Sequence, residues 1–174
     1  EATVRATFAG WQIAMVQALI KGMRYGYSDS PYIREIEGLA GHAEVSADTL
    51  LLLNVSYDLA SCGLSLPGML GCTGALVRNG QGLISIARTM DWSFPASIVD
   101  HTTLYRFHSK RGDVLSVGFP GFVGVVSGLN SHGIALTLNQ AFHPQKPHWA
   151  LPVPWLVRET LLGMNTYDKA LRHL

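Results

Sequence analysis

Cys72 is preceded by Gly71 and followed by Arg88 sixteen residues later and by Asp91 nineteen residues later. A cysteine attacks as the thiolate, so it needs a base to take its proton and gains from a nearby positive charge. If the Gly71-Cys72 bond were cut, one residue would supply both partners. The freed α-amino group has a pKa of about 8 and can take the proton of its own thiol, with no histidine required. The same thiol would make the cut by attacking the Gly71 carbonyl, and a residue without a side chain leaves that approach open. Arg88, on a strand paired beside that of Cys72, would add a permanent positive charge near the sulfur. Singly these residues are ordinary: a small buried thiol, a surface arginine on a strand, an aspartate in a turn before Trp92. Their joint spacing is what points to chemistry.

The string GCTGALVRNGQGLISIARTMDWSF, residues 71–94, resembles the start of the catalytic chain in the cysteine branch of the N-terminal-nucleophile hydrolases. That group includes choloylglycine hydrolases, penicillin V acylases, acid ceramidase-like amidases and penicillin acyltransferases. GLNSHGIALTLNQ, residues 128–140, resembles a later block of the same group. The resemblance implies a self-processing amidase or acyltransferase that cuts a linear, non-peptide amide C–N bond through a thioester on Cys72. It implies that Asp91 holds the freed amine or a polar part of the substrate, and that Asn139 donates to the developing oxyanion. It also implies an αββα sandwich of antiparallel sheets flanked by helices. Members of the group continue well past a point equivalent to Leu174, so a further C-terminal segment or a partner chain is expected to complete the sheet. The expected partner is otherwise a small-molecule amide, with no cofactor and no metal. The alternative is a catalytically silent binding or assembly domain that keeps the fold, which an intact Gly71-Cys72 bond in purified protein would favour. A hydrolase with an internal Cys and a His base fits poorly, because no His lies in a family-like context.

Elements that could position these residues are legible along the chain. Trp11 to Tyr25 places Trp11, Met15, Ala18, Leu19 and Met23 on one helical face. Ser30-Pro31 starts a second helix that Gly41 is expected to end, and Ser46 caps a third through Leu50 to Leu53 and Tyr57. Ser61 to Leu70 reads as a connector. Strand-like runs follow at Cys72 to Arg78 and Gly82 to Arg88, with a tight turn at Asn79-Gly80. Further strands are expected at Thr102 to His108, Val114 to Phe119, Phe122 to Ser127 and Ile134 to Asn139, with Asn130 in a structural Gly128 to Gly133 turn. After a Pro- and His-rich loop from Phe142 to Pro154, helix resumes at Trp155 and again after a capping Thr166. Helices, then short-linked strands, then helices predict an α+β fold with antiparallel sheet. Length predicts one domain, residues 1–174, divided into a helical segment 1–71 before the cleavage point and the start of a catalytic chain at 72–174.

Composition narrows the function. Lys plus Arg number 13 and Asp plus Glu 12, without runs of like charge, which argues against a nucleic-acid partner. The longest apolar run, Leu50 to Leu53, is far short of the ~20 residues of a membrane span. Two cysteines do not make a disulfide scaffold, and Cys62 reads as a bland thiol without the downstream spacing of Cys72. His143 and His148 lack a third metal ligand. Asn54-Val55-Ser56 matches a glycosylation acceptor but lies in an apolar helix and is discounted. The compartment is unknown. The chain opens on Glu1 and stops in a helix without a C-terminal cap, so both ends look trimmed, and a leader before Glu1 would make it extracytoplasmic or lysosomal.

Overall fold

A computed structural model describes residues 10–61, 71–91, 96–140 and 149–174. Cys62, Trp92, His143, His148 and most of the 61–70 connector lie outside the described residues. The class is α+β, with both sheets antiparallel. The chain divides into two compact units, Glu1–Leu53 and Asn54–Leu174. That division falls inside the third helix, whereas Gly71-Cys72 is a boundary of proposed processing rather than of packing.

The first unit carries α1, Gly10–Gly26, α2, Pro31–Ala43, and the start of α3, Ala47–Ser61. Ser30 caps α2 by accepting from the Tyr32 N–H at 3.2 Å, and Pro31 opens the helix where a missing N–H costs nothing. Gly41 does not end α2. The helix runs on to Ala43, and Glu44 takes the left-handed turn at φ 54° with its N–H on the Ala40 carbonyl. A glycine inside a helix costs only about 1 kcal/mol, and here Tyr32, Ile33, Ile36 and Ala40 are buried along one face. Arg24 bridges Glu37 at 2.7 Å and Asp48 at 3.1 Å, tying α1 to α2 and α3 by exposed pairs.

In the second unit, β1, Gly71–Arg78, pairs antiparallel with β2, Ile84–Asp91. The connection is longer than the tight Asn79-Gly80 turn expected. Asn79 organises residues 79–83 with its side-chain oxygen, accepting from the N–H groups of Gln81 at 3.0 Å and Leu83 at 2.9 Å. Gly82, not Gly80, takes the left-handed conformation at φ 83°. A single helical turn, α4, Ala96–Val99, leads to a four-stranded sheet of β3, Thr103–Ser109, β4, Gly112–Gly118, β5, Ser127–Asn130, and β6, Ala135–Thr137, in that order. Helices α5, Val153–Gly163, and α6, Tyr167–His173, close the chain.

The run from Phe122 to Val126 is not the strand its composition predicts. Phe122, Val123, Val125 and Val126 are all buried, so no polar face alternates with an apolar one. Its backbone bonds go elsewhere: the Val123 N–H to the Asn54 side chain at 2.7 Å, and the Val125 N–H to the Pro154 carbonyl at 2.9 Å. The Asn54 amide in turn donates to the Gly121 carbonyl at 2.8 Å. Asn54 is fully buried and serves packing, in keeping with the discounted glycosylation match. The strand runs instead over Ser127–Asn130, the last residue of the expected strand and the first three of the segment read as a turn.

One face of the four-stranded sheet builds the core. Val114, with Phe107 and Leu136, packs against Val157, Leu161 and Ala170 of α5 and α6. The close approach of α5 needs Gly128, where an added Cβ would stand 2.8 Å from Leu161 Cδ1. Asn130 locks this contact. Its amide donates to the Leu161 and Met164 carbonyls at the end of α5, at 3.0 and 2.9 Å, and its oxygen accepts from the His132 and Ile134 N–H groups. Asn130→Ala leaves buried carbonyls and N–H groups unpaired, so urea unfolding is expected to show a loss of about 3 kcal/mol. A loss under about 1 kcal/mol would mean that water replaces these bonds.

Candidate active site

The β1–β2 register decides which residues meet. Gly71 lies opposite Asp91, Cys72 opposite Met90, and Gly74 opposite Arg88. Directly opposed residues share a face and neighbours alternate, so Cys72, Gly74, Arg88 and Met90 look one way and Gly71 and Asp91 the other. On the first face Arg88 Nη2 donates to Cys72 Sγ at 2.9 Å and to the Leu138 carbonyl at 2.6 Å, while Nη1 reaches Ser127 Oγ at 3.4 Å. Cys72 is partly buried and is a free thiol. Arg88 Nε is buried with no partner among the described residues.

Asp91 lies beside Gly71 rather than beside the sulfur. Its Oδ2 stands 3.7 Å from where a Gly71 Cβ would be and accepts from Thr89 Oγ1 at 3.4 Å. That puts the carboxylate on the N-terminal side of Cys72. Asn139 follows β6, on a segment pinned by the Leu138 N–H to the Val126 carbonyl at 2.9 Å and by Arg88 on the Leu138 carbonyl. Its Nδ2 lies over Gly74, 3.1 Å from where a Cβ on that glycine would stand. The structure thus gathers Arg88 and Asn139 on the Cys72 face and sets Asp91 at Gly71.

Three contributors escape sequence reasoning. The Leu138 carbonyl and Ser127 aim the guanidinium, and neither a backbone carbonyl nor a lone serine leaves a sequence signal. Tyr57, from α3, lies within electrostatic reach of the site. Burial pushes its phenol above the ordinary tyrosine range, the charges of Cys72 and Asp58 push the same way, and Arg88 opposes them. The signal for Tyr57 is only its place on the apolar face of a helix.

A cavity of about 1010 Å³ is lined by the sheet face opposite Val114 and Phe107, by the hairpin, and at one end by Tyr167 and Leu171 of α6. Leu115, Val117 and Leu129 form one wall, and Leu76, Ile86 and Met90 of the hairpin another, with Arg88 and Ser127 among the few polar groups. Among the described residues no cluster of His, Cys, Asp and Glu could hold a metal, and no helix is long and apolar enough to cross a membrane.

No family model matches the chain. It is 22% identical to the N-acylethanolamine-hydrolyzing acid amidase of Rattus norvegicus over 92% of its own length and 44% of that protein's. It is 23% identical to the acid ceramidase of Balaenoptera acutorostrata scammoni, over 93% of the chain and 45% of that protein. A rabbit (Oryctolagus cuniculus) N-acylethanolamine-hydrolyzing acid amidase is 24% identical over 83% of the chain and 40% of its own length. Its homologues are N-terminal-nucleophile hydrolases. The chain spans less than half the length of these relatives, and the similarity reaches across the helical region, the hairpin and the sheet together, since it covers over nine-tenths of the chain in two of them.

Asp58, next to Tyr57, accepts from the Val153 N–H at the start of α5 at 2.8 Å, while its Oδ2 is buried without a partner among the described residues. Burial pushes this carboxyl up to about 6, against the smaller opposing effect of the Val153 bond. The folded chain therefore holds this proton where the unfolded chain has released it. Stability from the protonated form is present below about pH 4, is lost as pH rises to about 6, and is level above that. Asp58→Asn keeps an acceptor for Val153 and carries no charge. Its stability advantage over the parent is expected to grow by roughly 2–3 kcal/mol between about pH 4 and pH 7 in denaturant titrations. An advantage that does not change with pH would show that Asp58 titrates normally.

Proposed function

We propose that the protein is a self-processing amidase of the N-terminal-nucleophile type, latent until the Gly71-Cys72 bond is cut. In the cut, Cys72 Sγ attacks the Gly71 carbonyl carbon, the C–N bond breaks toward the Cys72 nitrogen, and water releases Gly71 as a carboxylate. The new α-amino group then takes the thiol proton, and Asp91, already at Gly71, holds that amine. The thiolate attacks an amide carbonyl, the substrate amine leaves with the proton, and water or a second amine resolves the thioester. Water makes the enzyme a hydrolase, an amine an acyltransferase. Arg88 sustains the thiolate and Asn139 donates to the oxyanion.

The observation that carries this reading is the 2.9 Å approach of Arg88 Nη2 to Cys72 Sγ. The same nitrogen also donates to a backbone carbonyl, and among the described residues no carboxylate pairs with the guanidinium to neutralise it. The similarity to amidases and ceramidases supports the reaction class. The aliphatic cavity supports a substrate with a long apolar acyl portion, a chemistry compatible with the lipid-like substrates in the relatives' names. The same cavity, walled by both sheets, supports the stacking expected of an αββα sandwich.

Intact-mass measurement of the purified protein is expected to find a fragment beginning at Cys72, and Cys72→Ala to give one uncut chain. A Cys72→Ala chain still broken at the same bond would remove the thiol as the agent. In the mature form, Arg88→Ala is expected to slow iodoacetamide alkylation of Cys72 near neutral pH by about tenfold or more, because the thiolate loses its cation. An unchanged alkylation rate would refute the charge role of Arg88.

A further inference from the structure

We infer that Gly74 is a positioning residue whose missing side chain seats the Asn139 carboxamide beside the Arg88–Cys72 pair. The inference rests on the roles proposed above for Cys72 and Asn139.

Gly74 is two residues from Cys72 on the same face of β1, directly opposite Arg88. A glycine inside a strand weakens it, since it pays more backbone entropy and packs nothing. Something must compensate, and backbone conformation does not: the glycines with positive φ are Gly82, Gly112, Gly121 and Gly133, and Gly74 is not among them. Space does. A Cβ at Gly74 would stand 3.1 Å from Asn139 Nδ2 and would meet no other described heavy atom within 4 Å. The steric demand of a methyl group here falls on Asn139 alone among the described residues and spares both the Arg88 guanidinium and the sulfur.

Asn139 is exposed, so its amide is open to a substrate and free to yield when pushed. A side chain at 74 would therefore displace the amide rather than break the sheet. An oxyanion donor acts only at hydrogen-bond distance from the developing charge, so a small displacement is felt in turnover. Thiolate formation depends on Arg88 and is untouched. The two functions of the site become separable by one substitution.

The test uses the full-length mature protein with dodecanoyl-4-nitroanilide as the amide probe, following release of 4-nitroaniline. Gly74→Ala is expected to lower kcat about tenfold and Gly74→Val about a hundredfold, the latter approaching Asn139→Ala. KM is expected to change less than about twofold, because the lost interaction belongs to the transition state. Iodoacetamide alkylation of Cys72 should keep the parent rate in Gly74→Ala, which a general loosening of the site would not allow. Gly74→Val added to Asn139→Ala should cost little more than Asn139→Ala alone, since both act on one group. If Gly74→Val does not fold, Gly74→Ala decides, because alanine at an ordinary strand position is no burden to the fold. Parent kcat in the foldable Gly74 variants beside a slow Asn139→Ala overturns the positioning role, as do fully additive losses. A parent protein that cleaves the probe no faster than its Cys72→Ala variant overturns instead the amidase reading on which this inference stands.

Discussion

The guanidinium of Arg88 is held at three points that come from three places in the chain, and much of the second unit's arrangement follows from it. Cys72 stands on β1, Ser127 opens β5, and Leu138 follows β6. The hairpin and the four-stranded sheet share no strand pairing. Arg88 links them by side-chain hydrogen bonds across a largely apolar space. Arginine suits this better than lysine, because its planar fork can donate to several acceptors at once without losing its charge. The 2.6 Å bond to the Leu138 carbonyl fixes the side chain, and the charge that remains is directed at sulfur.

The two faces of the four-stranded sheet are used differently. One is packed to high density against α5 and α6, to the point that Gly128 leaves no room for a methyl group under Leu161. The other keeps Leu104, Val117 and Leu129 substantially exposed toward the cavity. A well-packed face stabilises, and an open apolar face binds. The segment 122–126 joins these roles, since it is buried throughout and its Val123 and Val125 N–H groups are satisfied by Asn54 and Pro154 rather than by a neighbouring strand.

Three asparagines show why residue type alone does not assign a role. Asn54 and Asn130 are buried and spend their hydrogen bonds on backbone groups that would otherwise be orphaned. Asn139 is exposed, and its amide overhangs a glycine beside a thiol. The first two are worth stability and the third carries the oxyanion role proposed above, yet Asn130 and Asn139 lie nine residues apart in the same block of sequence.

Local features were determined by the sequence alone. Ser30-Pro31 and Thr166 cap helices where expected, because a cap acts within three or four residues of itself. The antiparallel return of β2 follows from a short link between two strand-forming runs, and it brings residue 88 back to residue 74 even though the turn is longer than Asn79-Gly80 alone. Tertiary structure decided the rest. Phe122 to Val126 looked like a strand because continuous apolar runs suit both a buried strand and a buried loop, and periodicity cannot separate them. That Leu138 offers its carbonyl to Arg88, that Tyr57 comes within reach of Cys72, and that Asp91 faces Gly71 instead of the sulfur depend on packing between elements far apart in the chain, which no local pattern of residues encodes.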